Sequence, residues 1–177
     1  MSKMFLLGIF LFNSFVLQAS SQLELNKIPP FVQIGGDDGG LTEGGTWSSD
    51  GIKGKIYMLF YVDPDEKDLN VEFEETLNNL KLSPDIYTTI AVVNMAATWM
   101  PNAAISIALS EKQKKYPDAI YVKDKNKVLV KKWGIQDDAY NTLLFDKSGN
   151  LIYFKAGKME PSDTKTFISL LKSTGVK

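Results

Sequence analysis

The stretch Lys55-Ile-Tyr-Met-Leu-Phe-Tyr-Val62, stopped at once by Asp63-Pro64-Asp65, decides the fold. Its continuous apolar run predicts a strand covered on both faces, as in a parallel α/β sheet. Downstream, Leu69, Phe73, Leu77 and Leu80 recur at helical spacing. They predict a helix from about Asp68 to Lys81, with Asp68 capping its first amides and Glu72, Glu74 and Glu75 outside. Tyr87–Met95, rich in β-branched residues, reads as a second buried strand. After Trp99-Met100-Pro101 a helix is expected over Asn102–Lys115, with Lys112, Lys114 and Lys115 favouring its carboxyl end.

Ala119–Val122 then reads as a short strand, and Lys127–Trp133 as a short helix with Trp133 in the core. Thr142–Phe145 and Leu151–Lys155 flank Asp146-Lys147-Ser148-Gly149-Asn150, whose glycine suits a hairpin. Ser162 is expected to cap a last helix reaching about Lys172, with Phe167, Leu170 and Leu171 facing inward and Gly175 beyond its end. Strands alternating with helices, then a hairpin and a helix, define an α/β sandwich around a mixed sheet.

Upstream, residues 22–54 are rich in turn signals: Pro29-Pro30, Gly35-Gly36, Gly39-Gly40 and Gly44-Gly45. They read as an irregular N-terminal extension with one edge strand in Phe31–Ile34. No P-loop and no strand-linked GxGxxG fingerprint occurs there. Residues 1–21 carry Lys3, the apolar run Met4–Leu17 and small residues Ala19, Ser20 and Ser21. They read as a cleavable signal peptide, so the domain proper is 55–177 and the destination is a bacterial periplasm. An uncleaved N-terminal anchor is the alternative, although the run is short for a membrane span. With no Cys after the run, a lipid-anchored form is excluded.

The 177 residues are 44% apolar and 23% charged, the composition of an ordinary globular protein. Cys, His and Arg are all absent, and the 20 basic residues are all Lys. Without Cys there is no thiolate nucleophile or disulfide exchange, and without His no imidazole base. Without Arg, and with a net charge of −1, nucleic acid is a poor partner.

The element order resembles the thioredoxin-like fold in its redoxin or peroxiredoxin-type elaboration. The matches are Gly54-Lys55 before the first core strand, and Trp133-Gly134-Ile135 ahead of Thr142-Leu-Leu-Phe-Asp146-Lys-Ser-Gly149. More closely, the chain resembles the YtfJ family of small exported bacterial proteins. That resemblance rests on Gly54-Lys55, Tyr87-Thr88-Thr89, Val93-Asn94, Lys114-Lys115-Tyr116-Pro117, Asp124, Trp133 and Leu144-Phe145-Asp146-Lys147. It implies a thioredoxin-like α/β/α sandwich with a central mixed sheet, and it supplies no reaction. Where thioredoxins carry Cys-x-x-Cys this chain reads Asp63-Pro-Asp-Glu-Lys-Asp68. Where they carry a cis-Pro it reads Asp138-Ala-Tyr140-Asn-Thr142.

A scaffold without redox residues implies neither a thiol-disulfide oxidoreductase nor a peroxidase. The preferred reading is a non-enzymatic module, without cofactor, that meets an unknown protein or peptide at the former active-site edge. The candidate surface is Asp63, Pro64, Asp65, Trp99, Pro101, Asp138 and Tyr140. Trp99 and Met100 could instead cover the core. Asp63–Glu75 holds seven acids against Lys67, a local charge of −6. A carboxylate-dependent hydrolase, with calcium as a conceivable ion, is therefore the alternative, although the loop lacks calcium-loop spacing. Glu111–Lys132, with a local charge of +5, reads as a solvated basic face.

Overall fold

The computed structural model describes residues 22–175, so the expected signal peptide lies outside the described residues. The strands are β1 (Gln33–Ile34), β2 (Gly39–Leu41), β3 (Trp47–Ser48), β4 (Ile56–Val62), β5 (Tyr87–Asn94), β6 (Ile120–Asp124), β7 (Tyr140–Phe145) and β8 (Leu151–Ala156). The helices are α1 (Val71–Asn79), α2 (Asn102–Lys115), α3 (Val128–Trp133) and α4 (Pro161–Gly175). One six-stranded mixed sheet runs β2-β6-β5-β4-β7-β8, and β1 pairs with β3 separately.

The unbroken apolar run is explained by the place of β4. It pairs in parallel with β5, from Ile56↔Tyr87 to Val62↔Val93, and antiparallel with β7, from Tyr57↔Phe145 to Val62↔Tyr140. Leu59 and Tyr61 enter one core with Ile90, Val92, Val122, Leu143, Trp133 and the N-terminal Val32, Ile34 and Trp47. Ile56, Met58 and Phe60 enter the opposite core beneath α1 and α4. There Phe73 and Phe167 meet edge to face at 5.1 Å, as do Tyr153 and Phe167 at 5.3 Å. Such pairs contribute about 0.5–1.5 kcal/mol each beyond burial. Helix α2 packs Ile105 and Leu109 against Met95 and Tyr121. Since Ala91 and Val93 of that cluster alternate with Ile90 and Val92, α2 covers the same face as α1 and α4.

Three local expectations are corrected. The first helix starts at Val71 and Asp68 caps nothing in it; the preceding acids form a 3-10 turn over Pro64–Glu66 whose first amides are met by Asp63. Asn70, just before α1, spends its side chain elsewhere. It accepts from the Met159 N–H at 2.8 Å and donates to the Gly157 carbonyl at 3.2 Å, fastening α1 to the β8–α4 loop. In α4, Pro161 takes the first helical position, and Asp163, not Ser162, reaches back to the Glu160 N–H at 3.1 Å. The N-terminal edge strand is displaced too. Phe31–Ile34 supplies only β1, while the edge of the main sheet is the glycine pair of β2. Gly39 has φ +117°, and a Cβ there would sit 2.0 Å from the Lys123 carbonyl oxygen, so only glycine lets β2 approach β6.

Candidate functional site

The carboxyl ends of β4, β5 and β6 gather at one end of the sheet with the start of β7. Ligands of open α/β sheets bind at such an end. Asp63 follows β4 directly and is only 4% exposed. Its N–H donates to the Ala139 carbonyl at 3.1 Å, and its carboxylate accepts the Asp65 N–H at 2.9 Å. Burial pushes its carboxyl above the ordinary range; the Asp65 N–H opposes that, and the charges of Asp65, Asp138 and Glu66 reinforce it.

Asp65 is exposed and accepts the Thr98 hydroxyl proton at 3.2 Å, while the Thr98 oxygen accepts the Met100 N–H at 3.2 Å. One hydroxyl thus ties the loop after β5 to the loop after β4. Between its two anchors stands Trp99, 87% exposed. Its indole covers no core. Met100 packs partly against the α2 cluster, and Pro101 is exposed at the start of α2, its carbonyl accepting the Ala104 N–H at 2.9 Å.

Behind this rim lies a buried polar layer. Asn94 and Asp124, register partners on β5 and β6, are fully enclosed. The Asp124 carboxylate accepts from the Tyr61 hydroxyl at 3.2 Å and from the N–H groups of Asn126, Val128 and Leu129 at 3.2, 2.9 and 3.1 Å. Burial and Asp124 push the Tyr61 phenol far up, so it is a fixed donor. Asp137 accepts from Asn94 Nδ2 at 2.9 Å, Lys127 Nζ at 2.6 Å and the Asp138 N–H at 3.0 Å. Burial alone would raise the Asp137 carboxyl, but these donors together hold it below the usual carboxylate range. The Asp137 bond is also the main reason the Lys127 ammonium is raised. Lys127 and Asp138, bridged at 3.4 Å, both sit in left-handed backbone, at φ 55° and 46°. Strain of this kind collects where a loop must be held in one shape. Among the described residues, the buried Asn94 Oδ1 has no hydrogen-bond partner.

The structure therefore brings Asp63, Pro64, Asp65, Trp99, Pro101 and Asp138 to one end and removes Tyr140 from the surface. Tyr140 is 1% exposed, its ring tilts against Phe60 at 6.0 Å, and its hydroxyl donates to Glu74 Oε1 at 2.7 Å. A β7 position facing the α1 core is apolar in kind, so this tyrosine turns inward with its hydroxyl satisfied. The same bond makes Glu74 a partner of the core and not a solvated outer residue. Asn94, Thr98, Lys127 and Asp137 were not singled out as site residues by the sequence. The pairs they make span up to 43 residues, and no local pattern announces them. Among the described residues no three acids, histidines or cysteines group to hold a metal. Asp68 instead pairs with Lys67.

This is a thioredoxin-like α/β protein whose sheet end carries carboxylates, an amide and an indole, and whose sequence has no cysteine. It belongs to the family described as "Bacterial protein of unknown function (YtfJ_HI0045)", whose pattern matches residues 42–174. The chain is 25% identical over 131 residues to "Uncharacterized protein YtfJ" of Escherichia coli (strain K12), covering 72% of this chain and 71% of that one. A thiol-disulfide isomerase from Corynebacterium glutamicum superposes with a TM-score of 0.60 at 13% identity, covering 84% of this chain and 97% of that one. The thioredoxin domain of a thiol-disulfide oxidoreductase from Bacteroides vulgatus gives 0.57 at 15% identity, with coverage of 84% and 98%. The pneumococcal exposed lipoprotein thioredoxin Etrx1 from Streptococcus pneumoniae gives 0.50 at 18%, with coverage of 81% and 99%. At these identities the likeness is one of fold. The cysteine-free sequence departs from a redox role.

Proposed function

We propose that this is an exported interaction module that meets a protein or peptide at the carboxyl end of its sheet, without catalysing a reaction. The observation that carries the reading is Trp99, almost fully exposed on a loop fixed at both sides by Thr98. An exposed large aromatic held in place is the usual anchor of a contact surface, because little freedom is lost on binding. Asp65 and Asp138 supply the surface's polar part and Pro64 and Pro101 its apolar part, with Asp63 buried beneath. The resemblance to thioredoxins, which take extended peptide at this edge, supports the placement. Export to the periplasm is supported by Lys3 and the apolar run Met4–Leu17. No helix among the described residues is long and apolar enough to cross a membrane.

The test is photo-cross-linking in cells, with a benzophenone amino acid at position 99 and, as control, at exposed Ser173 on α4. A discrete adduct from position 99, absent from 173 and found in the periplasmic fraction, is expected. Equal labelling from both positions, or none from 99, overturns the reading. The hydrolase alternative is the less favoured reading, because Asp63, Asp65 and Asp68 are engaged by an amide, a hydroxyl and Lys67.

A further inference from the structure

We infer that the Trp99 face is built for a cation: it takes a lysine or arginine side chain carried on an extended segment of another protein. The inference rests on the interaction reading above and names the partner's chemistry. Of the three tryptophans, Trp47 and Trp133 are buried in the core and Trp99 alone is displayed. An indole face attracts a cation, and a nearby carboxylate adds a Coulomb attraction of its own. The Thr98 hydroxyl donates to the Asp65 carboxylate at 3.2 Å, so this anion is held by the residue next to Trp99 in the chain before any partner arrives.

The charge around them is one-sided. The charges of Asp65, Glu66 and Asp138 all bear on the buried Asp63 at this end. Lys67 is already engaged by Asp68, and Lys127 by Asp137 and Asp138 at 2.6 and 3.4 Å. A cationic segment relieves this like-charge crowding, whereas an acidic one adds to it. Exposed ion pairs add little affinity singly, so the indole supplies the hold and the carboxylates the selection. An extended segment with an apolar residue beside its cation would also meet Met100 and Pro101.

The experiment titrates the chain with two tryptophan-free peptides, acetyl-Gly-Lys-Leu-Lys-Gly-amide and its Glu-for-Lys counterpart, and follows tryptophan fluorescence, in which Trp99 is the exposed emitter. The lysine peptide is expected to give a saturable change and to bind about tenfold tighter than the acidic one. It should weaken as salt rises from about 50 mM to about 300 mM. W99A, read by calorimetry, should lose about tenfold, and the D65N/E66Q variant should lose selectivity and flatten the salt response. All three substituted side chains lie at the surface or partly so, and an unchanged melting curve shows that the variants fold. Absence of binding up to about 1 mM, equal binding of the two peptides, or unaltered affinity in W99A overturns the inference. A concentration-dependent dimer abolished by W99A overturns it as well, because the Lys-rich segment of a second copy would then be the occupant. If the position-99 cross-link forms while the lysine peptide fails, the cationic partner is wrong and the interaction reading stands. If neither forms, both fall.

Discussion

At the scale of single residues, this sheet end sets two carboxylates against each other. Asp63 is held above the ordinary range by burial, and Asp137 below it by Lys127, Asn94 and a backbone N–H. The two have opposite consequences for stability. A raised carboxyl binds a proton in the folded chain that the unfolded chain has already released. Stability therefore falls as pH rises from the ordinary carboxylate value, about 4, through the folded value of Asp63, and the deficit persists at neutral pH. For Asp137 the contribution is present above the ordinary value and disappears as pH falls through its own lower one. Replacing Asp63 by Asn keeps an oxygen to accept the Asp65 N–H and deletes the buried charge. Asp63→Asn should raise the melting midpoint at pH 7 by about 2–4 °C, with the advantage shrinking as pH is lowered towards about 4. Thermal melts across that window measure it, and an equal gain at both ends would show that charge is not the cause.

Among the elements, the central ones were legible because each carries one dominant signal. The run Ile56–Val62 is apolar since β4 has a neighbour on either side and a core on each face. Helix α2 follows its proline, and its bounds match the expected Asn102–Lys115. Capping positions were misread because Asp68 and Ser162 have the right chemistry in the wrong local geometry, while Asn70 and Asp163 are placed by contacts far along the chain or one residue on. The glycine-rich edge was illegible for a different reason. Glycine is normally a strand breaker, and here it forms a strand because β2 needs φ near +117° and a backbone approach no side chain permits. The site divided the same way: Asp63, Asp65 and Trp99 announce themselves in a loop after an apolar run, whereas Tyr140 could only be placed once the β7 register was known. Gly39→Ala should therefore lift β2 from β6, costing about 2 kcal/mol or more through strain and lost strand pairing. Urea unfolding measures the loss. A cost below about 0.5 kcal/mol would mean that β2 contributes nothing to holding the edge.

For the whole molecule, the question is whether residues 55–177 stand by themselves, as the proposed domain boundary implies. The two faces of the sheet are covered unequally. Helices α1, α2 and α4 lie on one, while the other has only the short α3, and the N-terminal segment completes it. Val32, Ile34, Trp47 and Ile52 are buried there beside Leu59, Tyr61 and Trp133. Trp133 Nε1 donates to the Pro30 carbonyl at 2.8 Å, and Asn26 and Lys27 exchange backbone bonds with Leu151 at 2.7 and 2.9 Å. Removing residues 22–52 would turn this face to water as one contiguous apolar patch, larger than folded monomers ordinarily expose. The hydrogen bonds of the central strands survive such a cut, but the packing that fixes Trp133 and Phe145, now 6.2 Å apart, does not. A fragment of residues 53–177 should keep its far-ultraviolet circular dichroism, lose the near-ultraviolet signal of Trp133 and its tyrosines, bind anilinonaphthalene sulfonate and melt without cooperativity. A fragment beginning at Gln22 should melt in one sharp transition with no dye binding. Cooperative melting of the shorter piece would show that the N-terminal segment is an appendage, and that β4 to α4 hold their own core without it.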